Sequence, residues 1–124
     1  LSLSRTLITD AAMPMIAQQF PGLEYLRLDR TAITDKSLNE IAKLSSLQEL
    51  SLFRTRVSDA GCPQIAKLST LKKISLDQTI ITDAGIKALQ TMKQLESLSV
   101  WKTQVTDEAA EAFAKERPEV KLNR

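Results

Sequence analysis

One phrase returns through this chain at a fixed interval. "LSLFRTRVSDAG" at 50–61 has counterparts beginning at Leu1, Leu26, Ile74 and Leu98, which read "LSLSRTLITDAA", "LRLDRTAITDKS", "ISLDQTIITDAG" and "LSVWKTQVTDEA". The starts at 26, 50, 74 and 98 lie 24 residues apart, and the first interval is 25. A period of roughly 20–29 residues marks supersecondary units that cannot bury an apolar face alone and must stack on their neighbours. The chain therefore reads as one solenoid domain over 1–124, with units 1–25, 26–49, 50–73, 74–97 and 98–124, the last ending in a cap.

Within a unit the hydrophobic period changes. In the third unit Leu50, Ser51 and Leu52 alternate apolar and polar, which predicts a short strand. Ile65, Ala66, Leu68 and Leu71 then recur at helical spacing. Ser58 or Asp59 is the expected N-cap, since either offers an oxygen to the free N–H groups of a first helical turn. Pro63, like Pro14 before it, fits only in such a first turn. Across units, Leu3, Leu28, Leu52, Leu76 and Val100 form one apolar column, and Ile8, Ile33, Val57, Ile81 and Val105 form a second. Cys62 shares a column with Met13, Leu38 and Ile86, which makes it a small buried apolar side chain. As the only cysteine, it builds no disulfide framework.

These columns carry a resemblance. The spacing L-x-x-L-x-L-x-x-T, as in Leu23, Leu26, Leu28 and Thr31, resembles the leucine-rich-repeat signature with Thr in place of the usual Asn or Cys. "ITDAG" at 81–85 is similar to a phrase of the cysteine-containing subfamily and of bacterial threonine-type arrays. The resemblance implies an α/β right-handed horseshoe, with a parallel sheet on the concave face and helices on the convex face. It also implies a binding module, and through the cysteine-containing subfamily a second option, the substrate receptor of a ubiquitin ligase or an effector. The Thr column and the period of 24 match the bacterial arrays better.

Two polar columns have structural explanations. Thr6, Thr31, Thr55, Thr79 and Thr103 sit where the chain leaves the sheet, and a hydroxyl there can satisfy backbone groups of the turn. Asp10, Asp35, Asp59, Asp83 and Asp107 stand where helix N-termini need an acceptor and attract negative charge, so no metal is expected of them. Catalysis is not expected either. The chain has no His and only three Gly, so it offers neither an imidazole base nor a Gly-rich phosphate loop. Asp29 and Asp77 fall two strands apart, roughly 10 Å by strand spacing, which is wide for a glycosidase pair. No cofactor is expected.

Function is expected on the concave face. The residues that flank the strand leucines face solvent: Tyr25, Glu49 and Lys73 in one column, and Arg27 among serines in the next. Beyond these come Asp29, Phe53, Asp77 and Trp101, then Arg30, Arg54 and Lys102. Aromatics set beside cations resemble the anchors of a protein interface, and they suggest an acidic partner with an apolar group over Tyr25, Phe53 and Trp101. The alternative is that Phe53 and Trp101 fold sideways over neighbouring stems, which leaves the array a spacer. Nucleic-acid binding ranks lower, because a net charge of +2 exerts little long-range attraction, and carbohydrate binding by Trp101 and Phe53 beside Asp77 has little else in the sequence to support it. No apolar run approaches the ~18 residues that cross a bilayer. Leu1, Leu3 and Ile8 would expose a stacking edge to earlier repeats or to a second copy of the chain. At the other end Glu116, Arg117 and Glu119 replace apolar residues, while Val120 and Leu122 can add a sixth short strand.

Overall fold

The computed structural model describes residues Leu1–Arg124. Five short strands, β1 (Tyr25–Arg27), β2 (Glu49–Ser51), β3 (Lys73–Ser75), β4 (Ser97–Ser99) and β5 (Lys121–Asn123), form one parallel sheet in chain order. The register follows the sequence period: Leu26 faces Leu50, Leu50 faces Ile74, and Ile74 faces Leu98. β5 is the added strand expected from Val120 and Leu122, and it pairs with β4. The first repeat departs from expectation. It joins the sheet through the single bridge Ser2–Arg27 rather than as a full strand, although Leu3 and Arg5 still donate to the carbonyls of Arg27 and Asp29.

Helices α1 (Met13–Gln19), α2 (Asp35–Ile41), α3 (Cys62–Ile65), α4 (Asp83–Leu89) and α5 (Asp107–Glu116) cover the opposite side of the array. Successive helices pack on one another. The strand leucines and the inward helix residues merge into a single core that includes Leu28, Leu52, Leu76, Ile65 and Phe113. Cys62 is fully buried in it. Burial, then the nearby Asp59 and Asp35 charges, push its thiol pKa up to about 12. Pro14 and Pro63 do occupy first turns, and there the helix opens as a 3-10 turn, Asp10–Ala12 and Asp59–Gly61, before becoming α-helical. A proline at that point lacks the N–H that would extend the α-helical ladder backward.

The capping residue is the hydroxyl, not the carboxylate. Thr9, Thr34, Ser58, Thr82 and Thr106 each accept from a backbone N–H of the turn they open. The aspartate column, expected to serve its own helix, reaches forward to the next repeat. Asp10 accepts from the Thr34 N–H at 2.8 Å and from the Thr34 hydroxyl at 2.6 Å. Asp35 holds Ser58 in the same way, Asp59 holds Thr82, and Asp83 holds Thr106. Each carboxylate therefore ties the cap of the following helix to the start of its own. At Gly85 the fit is close, since a Cβ there would stand 2.5 Å from the Asp59 carboxylate and 3.1 Å from the Cys62 sulfur. Asp107 has no following cap and is exposed.

The chain leaves the sheet through two repeated devices. Each column threonine donates its hydroxyl to the carbonyl three residues earlier, as Thr31 does to Leu28 at 2.7 Å and Thr79 to Leu76 at 2.6 Å. The preceding residue adopts a left-handed backbone: Arg5, Arg30, Arg54, Gln78 and Lys102 have φ of 59°, 56°, 57°, 55° and 52°. At the last turn Arg117 is not merely a polar surface replacement. Its guanidinium donates to the carbonyls of Gln90 at 2.6 Å and Met92 at 2.9 Å, closing the end of α4. At the opposite edge Leu1 is 42% exposed, and Leu3 and Ile8 are half-buried.

Candidate functional site

The solvent face of the sheet is built from the odd positions of each strand, because alternate side chains of a strand point to opposite faces. Ser51, Ser75, Ser97 and Ser99 line a shallow groove of about 410 Å³, with Tyr25 and Arg27 contributed by β1. Their small hydroxyls leave backbone and neighbouring side chains accessible. Glu49 and Lys73, also expected here, meet across β2 and β3 at 3.0 Å. The hydrogen bond and charge of Glu49 raise the Lys73 pKa above the usual lysine value. The pair is an exposed, self-satisfied rung of the groove.

Asp29 and Asp77 have a different place from the one expected. Asp29 is buried, and its carboxylate accepts from the Ser51 hydroxyl and from the Phe53 N–H, while Arg27 pairs with it at 3.1 Å. Asp77 accepts from the Ser99 hydroxyl at 2.6 Å and from the Trp101 N–H at 2.7 Å. Each aspartate thus fixes the backbone of the aromatic residue in the next repeat. Asp29 uses both carboxylate oxygens within the chain, whereas Asp77 uses only Oδ1 and is half-buried; both position the aromatic residue of the next repeat, Phe53 and Trp101. The signal was present in the sequence as the alternation Asp29, Phe53, Asp77, Trp101, each aromatic preceded by a serine two residues earlier.

The aromatics themselves divide. Tyr25 is 50% exposed and Trp101 is 44% exposed. Phe53, expected in solvent, is half-buried, with the Arg30 guanidinium 5.3 Å from its ring centre. Lys102 lies over the Trp101 ring at 4.4 Å, so two of the expected cations cover the aromatics beside them. Such contacts hold a ring's orientation while leaving its other face open. Arg54 is exposed and makes no ion pair or side-chain hydrogen bond. The same column of Arg5, Arg30, Arg54 and Lys102 is the left-handed column, which side-chain periodicity does not reveal. Leu7, fully exposed, and Ile80, 54% exposed, project from the turns that follow the sheet and were not among the expected surface anchors. No helix is long and apolar enough to cross a membrane.

No protein-family model matches the sequence, and no curated protein matches it by sequence. Solved structures do match it by shape. A leucine-rich-repeat protein of Leptospira interrogans superposes over all of this chain and 30% of its own length, with a TM-score of 0.74 and 23% identity. An internalin from Listeria monocytogenes covers 98% of this chain and 39% of its own length, with a TM-score of 0.62 and 17% identity. The chain thus spans between 30% and 39% of the length of these neighbours. With the parallel sheet in repeat order, a helix behind each turn and the threonine hydroxyls closing the strand exits, the chain has the fold of a leucine-rich-repeat solenoid.

Proposed function

We propose that residues 1–124 act as one leucine-rich-repeat domain that recognises a protein or peptide on the open face of its sheet, without catalysis. The observation that carries this reading is Trp101. It stays 44% exposed although Asp77 fixes its backbone and Lys102 lies over its ring. A side chain held this firmly yet left open gives up little conformational freedom on binding, which is the property of an interface anchor. Tyr25, in the lining of the serine-rich groove, supplies a second anchor, with Arg27, Glu49 and Lys73 as its polar surround. Phe53, Arg30, Arg54 and Lys102 complete the surface, and Asp29 and Asp77 position it.

Size constrains how this face binds. Strands of three residues at ~4.8 Å spacing present only roughly a few hundred Å², against ~800 Å² on each side of a standard interface. Binding therefore also engages the turns after the sheet, where Leu7 and Ile80 project, or further repeats beside these. The test is affinity capture from the source organism, with the wild-type chain compared to a Phe53→Ala/Trp101→Ala variant. A partner held by the wild type and lost by the folded double variant supports the reading. Equal capture by both variants overturns it.

A further inference from the structure

The left-handed column raises a question that the fold alone does not answer. Positive φ favours Gly, and after it Asn, because other side chains crowd the backbone there. The chain instead places Arg5, Arg30 and Arg54 at three successive copies of this position. They are in register, since Arg5 donates its N–H to Asp29, Arg30 to Phe53 and Arg54 to Asp77. They lie in the turns of adjacent repeats, where like charges repel one another. None of the three guanidiniums has a carboxylate partner, whereas neighbouring Arg27 and Lys73 do. The row is both conformationally and electrostatically unfavourable for the free chain.

At one end of the row the surface forms a depression of about 350 Å³, lined by Ser2, Ser4, Arg5, Arg27, Arg30 and Phe53, with Asp29 in its wall. Asp29 is already engaged by Arg27, Ser51 and the Phe53 amide, so its charge is spent within the chain. Arg5 and Arg30 are left as uncompensated donors, and the Ser2 and Ser4 hydroxyls stand 3.3 Å from each other beside them. We propose that this depression is an anion subsite that takes the carboxylate of an acidic side chain from a protein partner, clamped between Arg5 and Arg30.

The planar fork of a guanidinium matches the two oxygens of a carboxylate. The Asp29 carboxylate in the wall favours a single negative charge over a phosphate dianion. The inference rests on the interaction reading above and adds to it the chemistry of one contact. The adjacent Phe53 ring, already covered by Arg30 on one side, gives the partner's side-chain stem an apolar support.

The test is a titration of the isotope-labelled chain with a blocked tetraglutamate peptide, its glutamine counterpart and inorganic phosphate, followed by NMR. Arg5→Gln and Arg30→Gln are the test variants, and Arg56→Gln, an exposed cation outside the depression, is the control. Glutamine already occupies this backbone conformation at Gln78, and unchanged peak dispersion away from the substituted position checks that each variant is folded. The expected result is saturable shifts at residues 2–5 and 27–30 with tetraglutamate alone. Each test variant weakens that binding by about tenfold or more, and Arg56→Gln leaves it unchanged. The proposal is overturned if phosphate binds as tightly as the peptide, if Arg56→Gln weakens binding equally, or if no saturable binding occurs. Loss of tetraglutamate binding together with intact, aromatic-dependent partner capture would sink the subsite and leave the interaction reading standing; the reverse outcome would do the opposite.

Discussion

Replacing Asp59 and Asp107 separately by Ala isolates what holds one repeat to the next. Both residues occupy the same column and the first turn of a helical segment, so both lose the same favourable contact with the helix N-terminus, about 0.3–1 kcal/mol. Asp59 also accepts from the Thr82 N–H at 2.7 Å and from the Thr82 hydroxyl. Hydrogen bonds to a charged group contribute about 1.5–3 kcal/mol each when buried. Because Asp59 and Thr82 are only half-buried, water recovers a share, and the expected loss for the pair is about 2–3 kcal/mol. Asp107 has only an exposed contact with Arg124 at 3.7 Å, which adds close to nothing. Urea unfolding of the two variants should separate them by about 2 kcal/mol, read from the midpoint shift at constant slope. Equal losses would show that the aspartates act on their own helices, and the account of the carboxylates as links between repeats would fail.

Three further outcomes follow from the same geometry. Leu52→Ala, at a fully buried position, should cost about 2–5 kcal/mol, while Trp101→Ala should leave the unfolding midpoint almost unchanged; comparable losses would make Trp101 part of the core. Cys62, buried and with its thiol pKa pushed up to about 12, should resist iodoacetamide at about pH 8 in the native chain and react readily in denaturant. Burial raises the Asp10 pKa, but bonds from the Ser37 hydroxyl and from the Thr34 hydroxyl and amide, with the Lys36 charge, outweigh it and leave the pKa lowered. Its contribution is therefore full above the unfolded value of ~3.9 and is lost as pH falls through the lower folded value, so the stability gap between wild type and Asp10→Asn should narrow in that acid range. A pH-independent gap would remove the charge from the explanation.

Repetition made much of this architecture readable before any coordinates. A column that keeps Leu, Ile or Val through five copies fixes which side of a strand is buried, and the common interval fixes the parallel register that Leu26, Leu50, Ile74 and Leu98 adopt. The threonine column was legible for the same reason, since a hydroxyl at a strand exit has few partners other than the turn it closes. Carboxylates were harder to place. A carboxylate near a helix start can serve its own first turn or reach across to the next repeat, and periodicity gives both options the same pattern. The structure shows that the hydroxyl one residue earlier takes the first role, which frees Asp10, Asp35, Asp59 and Asp83 for the second.

Asp29 and Asp77 illustrate the same difficulty on the concave face. Alternation pointed them away from the core, but it did not reveal that Asp29 is buried or that the two are engaged by Ser51, Phe53, Ser99 and Trp101. Phe53 was placed in solvent because it flanks a strand leucine; the Arg30 guanidinium that lies over its ring comes from the repeat before. The left-handed backbone of the arginine column was illegible because that conformation is ordinarily signalled by Gly or Asn, and neither is present there.

A photoreactive side chain at Ser75, in the middle of the sheet face, compared with one at Lys67 on the helix side, tests the proposed binding face most directly. With the captured partner present, cross-links should form from Ser75 and not from Lys67. Cross-links from Lys67 alone would place the partner on the helices and contradict the proposed role of the sheet.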